Sequence, residues 1–289
     1  MNRIVNKIAN RMLRTMGRLP GDVRDDRNLY VELYGHDAVK RRAFYNISAG
    51  GHKGFGGGFS HPCWMNLDVD VRWERERNFD PSRDVAYDAL SMDPLPIATD
   101  SALLVQTRFA IEHLTNAAVE ILFREIHRVL RLGGALRVTC PNIDLDYRAY
   151  LRRDMSYFWW HNYPPNIPSI EQAMLDHFAA SLSMLHPDGA PSRISDAEFS
   201  EIIRSHSQEE ALDLCVSRCP VDIQRRYRRN HINWWNEDKI FTFLKGAGFE
   251  TFYRSGPRQS DYRVLRNQRH FDNLFNEVAL YVEAVKTAP

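Results

Sequence analysis

The chain is predicted to fold as an open α/β sheet. The sheet is doubly wound and mostly parallel, has seven strands with the last antiparallel, and carries a helical insertion after the fifth. Three observations predict this. Short apolar runs alternate with helical periods between residues 44 and 141. The first run leads directly into glycines (Gly50, Gly51, Gly54 and Gly56 to Gly58), the residue type a backbone needs where it must come close to a ligand. The alternation stops over 142–235 and resumes from Asn236 to Val285.

The strands follow in order. Phe44 to Ser48 is the first, Trp64 to Val71 the second, Ala86 to Leu90 the third and Leu103 to Thr107 the fourth. Ala117, Ile121, Leu122, Ile126, Val129 and Leu130 then repeat at helical spacing, and Gly133-Gly134 is expected to end that helix. Leu136 to Cys140 is the fifth strand, stopped by Pro141. After the insertion, Asn236 to Gly246 reads as a helix. A strand through Tyr253 and a final strand over Glu277 to Val285 are expected to pair as a hairpin across 254–276.

Residues 1–40 form a lead-in, and 41–289 one domain that includes the insertion at 142–235. Residues 1–20 carry Arg3, Lys7, Arg11, Arg14 and Arg18 with no acid, and Ile4, Ile8, Met12 and Met16 recur every four residues. This is a basic amphipathic helix, suited either to peripheral contact with an anionic membrane or to packing on protein.

Composition narrows the function. With 289 residues, 44% apolar and 11% aromatic, the chain can bury a large core. A net charge of +1 gives no global field for nucleic acid. No apolar run approaches the roughly 20 residues of a membrane span. The basic residues near the start interrupt any signal-peptide core, so a cytoplasmic setting is expected. Cys63, Cys140, Cys215 and Cys219 do not make a disulfide framework. Cys215 and Cys219 have no second ligand pair at zinc spacing, so no metal is expected.

An ordered string of motifs carries the chemistry. Tyr45-Asn46-Ile47-Ser48-Ala49-Gly50-Gly51 is followed by Asn66-Leu67-Asp68 and then Pro94-Leu95-Pro96-Ile97. Glu112-His113-Leu114, Arg128-Val129-Leu130 and Gly133-Gly134 complete it. The string resembles the class I methyltransferases that use S-adenosylmethionine, especially the branch that tailors glycans and small molecules. The resemblance covers residues 44–141 well and 231–286 weakly. Ser48 stands where the family has its first glycine, and Leu132 where it often has proline.

The resemblance implies a cofactor site made of Asn46, Ser48, Ala49, Gly50 and Gly51 at the first strand and Asp68 on the ribose hydroxyls. Ser91 or Asp93 would meet the adenine, with Arg108 at the end of the fourth strand. It implies S-adenosyl-L-methionine as cofactor and a hydroxyl or amine of a small-molecule or sugar acceptor. His113 is the first candidate for the base, or else a structural residue beside the cofactor. Asp144 and Asp146 are the next candidates, or else caps for a helix starting near Tyr147. His61, His161 and His231 are further contributors from loops.

Residues 225–235 interleave arginines with Tyr227, Trp234 and Trp235. That suits an anionic or sugar-bearing acceptor, or single-stranded RNA, or a solvated helix end followed by core tryptophans. With Tyr157 to His161, this stretch is expected to cover the substrate pocket. The rival readings are a methyltransferase fold without activity that binds a partner, and an RNA methyltransferase.

Overall fold

The computed structural model describes residues 26–47, 59, 61–69, 82–161, 167–188 and 193–288. The predicted helix at 1–20, and Ser48, Ala49, Gly50 and Gly51, lie outside the described residues.

Seven strands form one sheet in the order β3-β2-β1-β4-β5-β7-β6. They are β1 (Phe44–Ile47), β2 (Met65–Asp68), β3 (Asp84–Ala86), β4 (Ala102–Arg108), β5 (Leu130–Pro141), β6 (Thr251–Ser255) and β7 (Ala279–Val285). β7 runs antiparallel to both its neighbours, and the other pairings are parallel. This is the predicted architecture. The last two strands do pair, with β7 inserted beside β5 and β6 left at the edge. Chain order reverses between β1 and β4, where an open α/β sheet leaves a crevice for ligands beyond the carboxyl ends of its strands.

β4 is buried over Ala102 to Thr107, as a strand covered on both faces should be. On one face Val105, Leu136, Val138 and Val282 pack against α2 (Asn116–Val129) and α8 (Glu237–Gly246). α2 lays Val119, Leu122, Phe123 and Ile126 on the sheet, and the Thr115 hydroxyl caps it by accepting from the Ala118 N–H. On the other face Phe44, Leu104 and Ala135 meet Tyr30 of α1 (Arg27–Arg41), Trp64 and Phe271. Part of the lead-in therefore belongs to the sheet's own core.

Two expectations are corrected. The third strand lies over Asp84–Ala86, and Ala89–Ser91 is a single 3-10 turn whose N-terminus the Asp88 carboxylate caps. Gly133-Gly134 does not end the helix: Leu130 turns directly from α2 into β5, and the glycines sit inside the strand. There the pairing with β4 shifts register between Ala102 and Leu104. Gly133 has φ +75°, and a Cβ on Gly134 would lie 2.8 Å from the Arg131 carbonyl oxygen. The pair makes a β-bulge that other residues would strain.

The segment 143–234 gathers around its own core of Phe158, Met174, Leu175, Phe178, Phe199, Leu212 and Trp234. It contains α3 (Ile143–Leu151), α4 (Ile170–Phe178), α5 (Asp196–Ser205), α6 (Gln208–Val216) and α7 (Val221–Arg226). α3 starts four residues earlier than predicted, because Asn142 caps it. Asp144 and Asp146 therefore stand in its first turn. No described helix is long and apolar enough to cross a membrane.

One residue from each strand aligns across the sheet. Asp84, Asn66, Asn46, Gln106, Arg137, Glu283 and Tyr253 are successive register partners. Asn66 donates to Asp84 at 2.8 Å, and the Tyr253 hydroxyl to Glu283 at 2.7 Å. Arg137, 1% exposed, pairs with buried Glu283 and, at 2.7 Å, with Asp272. It also donates to Ser255 Oγ and to the Gly256 carbonyl, each at 3.0 Å. Truncating it strands two buried carboxylates. Arg137→Ala should lower unfolding free energy by about 3–5 kcal/mol, and Arg137→Lys should recover only part of that because it lacks the planar fork. Urea midpoints of the two variants check this.

Candidate active site

The carboxyl ends of β4 and β5 open onto a small, tightly lined cleft. Its floor is Glu112, Pro141 and Ile143, its wall Asp146, His177 and Phe178, and its roof His231, Asn233, Trp234 and Trp235. The extended segment 231–235 is fixed by backbone hydrogen bonds. The Ile232 N–H donates to the Glu112 carbonyl at 2.9 Å, Ile143 N–H to the Trp235 carbonyl at 3.0 Å, and Ala180 N–H to the His231 carbonyl at 3.0 Å. Asn233 adds a side-chain bond to the Leu114 carbonyl at 2.9 Å. Three separated parts of the sequence thus meet at one edge of the sheet.

Asp146 is fully buried and accepts from the Tyr157 hydroxyl at 2.7 Å and from Nδ1 of His177. A carboxylate that accepts a hydrogen bond from Nδ1–H leaves the lone pair of the His177 ring on Nε2, the arrangement of a base oriented by an acid. Burial and the neighbouring Asp146 push the Tyr157 hydroxyl far above its usual pKa, so it remains a donor.

His113 donates from Nδ1 to the Asn230 carbonyl at 2.9 Å. Burial lowers its pKa, against the opposing pull of that carbonyl. Its ring packs edge-on to that of His231 with centroids 4.7 Å apart. Glu112 is 1% exposed, and neither carboxylate oxygen meets a side-chain donor. Burial pushes its pKa up to about 8, against the backbone N–H groups of Glu112 and Ala110.

The other predicted residues fall as follows. Asp68 ends β2, half-buried, and its Oδ1 accepts from the Val69 N–H at 2.7 Å. Arg228 reaches from the insertion to the Val69 carbonyl at 3.0 Å, while Gln224 donates to the His113 carbonyl at 2.9 Å. The stretch 224–228 therefore joins the tip of β2 to the rim of the pocket. Asn46 and Gln106 face each other across the switch point, and the side-chain Oδ1 of Asn46 and Nε2 of Gln106 are buried without a hydrogen-bond partner.

Ser91 and Asp93 bond to one another at 2.7 Å on the surface. Asp88, two residues past β3, is nearer the strand end, and in the sequence it is hidden within the stretch Ala86 to Leu90 that reads as the third strand. Arg108 donates to Asn273 at 2.8 Å and stands over Phe59. Asp144 accepts from Gln208 at 2.7 Å and stays outside the pocket. His61 lies in a separate buried cluster with Asp26. The side chain of His161 lies outside the described residues. Trp234 and Trp235 are core tryptophans, 3% and 1% exposed, and Arg226 pairs with Asp188. His177 and Glu112 were not predicted as site residues. No spacing links His177 to Asp146, and Glu112 entered only as part of a motif.

No family model and no curated protein matches the chain. Among solved structures it is similar to human N-acetylserotonin methyltransferase in complex with SAM, with 12% identity and a TM-score of 0.41, over 90% of this chain and 55% of that one. A SAM-dependent methyltransferase from Thermotoga maritima gives 11% identity and 0.40, over 84% and 81%. The CMeT domain of the citrinin polyketide synthase gives 11% and 0.38, over 85% and 46%. The chain thus spans about half the length of the first and the last. At 11–12% identity these chains lend no site residue to this one.

Lys239 pins the roof. Its ammonium lies 3.9 Å from the Trp234 ring, donates to Asn233 Oδ1 at 2.9 Å and is 3.8 Å from Asp213. Burial pulls its pKa down to about 8 from 10.5, with Asp213 opposing. Between those two values the unfolded chain binds the proton and the folded chain does not, so this group adds stability as pH rises through the window and loses it as pH falls through about 8. The stability of wild type minus that of Lys239→Met should therefore grow from pH 8 to 10.5 and stay flat below, as read from urea midpoints.

Proposed function

We propose that this chain is an S-adenosylmethionine-dependent methyltransferase acting on a hydroxyl or amine of a small molecule or sugar. The observation that carries the reading is the layout of one sheet edge. A carboxylate ends β2, and an acid–imidazole pocket opens beyond β4 and β5, on either side of the switch point at β1 and β4. Asp68 suits the ribose diol of an adenosyl group. The unpartnered side-chain Oδ1 of Asn46 and Nε2 of Gln106 offer an acceptor and a donor beneath it. The cofactor supplies an electrophilic methyl on a sulfonium.

The pocket then has two tasks. It must hold the acceptor in line with the methyl–sulfur bond, and it must take the acceptor's proton. S-adenosylmethionine held there would supply the methyl group, its sulfur keeping the electron pair of the bond that is broken. The acceptor proton goes to Nε2 of His177, while Asp146 stabilises the imidazolium that results. The aromatic walls of Trp234, Trp235 and Phe178 suit an acceptor with a flat or apolar face.

Calorimetric titration with S-adenosylhomocysteine tests the cofactor. Wild type should bind, and Asp68→Ala should bind at least about tenfold more weakly, the loss of a charged hydrogen bond of roughly 1.5–3 kcal/mol. Folded wild type that shows no heat of binding refutes the reading. Asp146→Asn should keep its affinity for S-adenosylhomocysteine and lose about 10²–10⁴ in turnover, followed as S-adenosylhomocysteine release across a panel of hydroxyl and amine acceptors.

A further inference from the structure

We propose that Glu112, His113 and His231 form a binding site for a first-row divalent cation of the zinc type. One ring nitrogen of each histidine and a carboxylate oxygen of Glu112 lie within 4.8 Å of one another. Ligand atoms around a single ion with bonds of about 2 Å stand about 3.3 Å apart in a tetrahedron, so the three groups are near enough for small side-chain rotations to close them on a metal.

The tautomers support this independently. A backbone carbonyl can only accept, so the Nδ1 atoms that meet the Asn230 and His177 carbonyls must carry the protons of His113 and His231. The lone pair of each ring is then on Nε2. Metal-ligating histidines are held the same way, with the second nitrogen donating to a carbonyl or carboxylate.

Glu112 supplies the third ligand. It is 1% exposed, its oxygens have no side-chain donor, and among the described residues no Lys or Arg pairs with it. A buried carboxylate without a cation is costly, and a bound metal ion would remove that cost. Two imidazoles and one carboxylate favour zinc and its neighbours over magnesium or calcium, which prefer all-oxygen shells. Three protein ligands leave a coordination position open to the pocket, as in catalytic rather than structural sites. The ligand class is therefore a divalent cation together with a hydroxyl, amine or thiol group of the acceptor.

A second cluster, Asp26, His61 and His270, is as tight but different in kind. There His61 donates from Nε2 to Asp26 at 2.8 Å and accepts at Nδ1 from the Cys63 N–H at 3.1 Å, which occupies both nitrogens. It is a structural hydrogen-bond chain.

The test uses full-length protein stripped with a chelator, dialysed, and titrated with Zn²⁺ with magnesium in excess. Wild type should retain one equivalent of zinc per chain by elemental analysis. Glu112→Gln and His231→Ala, checked for folding by circular dichroism, should each bind at least tenfold more weakly. Retention of no zinc by folded wild type, or unchanged affinity in both variants, overturns the proposal. Should neither variant fold, the Co²⁺-loaded wild type decides. Intense visible absorption typical of four- or five-coordinate nitrogen and oxygen ligation supports the site, and the weak spectrum of hydrated cobalt overturns it. Titration of the same preparations with S-adenosylhomocysteine reports separately on the cofactor, so failure of one reading leaves the other standing.

Discussion

Arg137 is a guanidinium with almost no access to water, held in the middle of a sheet by two carboxylates on different segments. Such a group has one acceptable environment, because each partner it loses leaves a charge unpaired. Strand β5 therefore cannot slip by one residue against β7, since a slip would turn Arg137 to the opposite face among Val105, Leu136 and Val282. The same charge draws in the loop after β6, through Ser255, Gly256 and Asp272. That loop covers one face of the sheet with Asn267 bonded to Asp26 and Phe271 against Trp64. Much of one layer is thus organised by hydrogen bonds and ion pairs rather than by a helix.

With the register fixed, the carboxyl edge is fixed as well. β4 and β5 deliver Glu112 and Pro141 to one place, and the stretch from Asn230 to Trp235 closes over them through backbone bonds. The roof contributes a histidine, two tryptophans and an asparagine, so it is part of the site's chemistry as well as its cover. The pocket gathers two carboxyl groups and two imidazoles, Glu112, Asp146, His177 and His231, in its lining. Asp146 is matched to His177, while Glu112 has no partner of opposite charge among the described residues.

Much of the sheet was legible in the sequence because its signals are local. Phe44 to Ile47, Leu103 to Thr107 and Leu136 to Cys140 are apolar runs of strand length, and α2 shows its stripe at helical spacing. The misplaced elements have physical reasons. Tyr87 to Leu90 looks as apolar as a strand, but the Asp88 carboxylate captures the Leu90 N–H at 2.9 Å and closes a turn instead. Gly133-Gly134 has the composition of a helix stop, yet the chain had already left the helix at Leu130 and uses the glycines to absorb a register shift. The site was legible only in part. Glu112-His113 and Asp146 lie in or beside recognisable motifs, whereas His177 and His231 come from an insertion that carries no motif. Their partnership spans 31 residues in one case and 118 in the other, and only the packing of α3, α4 and the roof brings them together.

The insertion has a hydrophobic core of its own, and the sheet has two others on its faces. Substitutions buried in the insertion, at Phe199 or Leu212 for example, touch neither of the sheet's cores, and effects at separated sites add almost independently. The lineage of this chain could therefore remodel the walls and roof of its pocket while the strands and their tips stayed the same. A family built on this plan would be expected to diverge fastest in the lining contributed by the insertion and slowest at the tips of the strands.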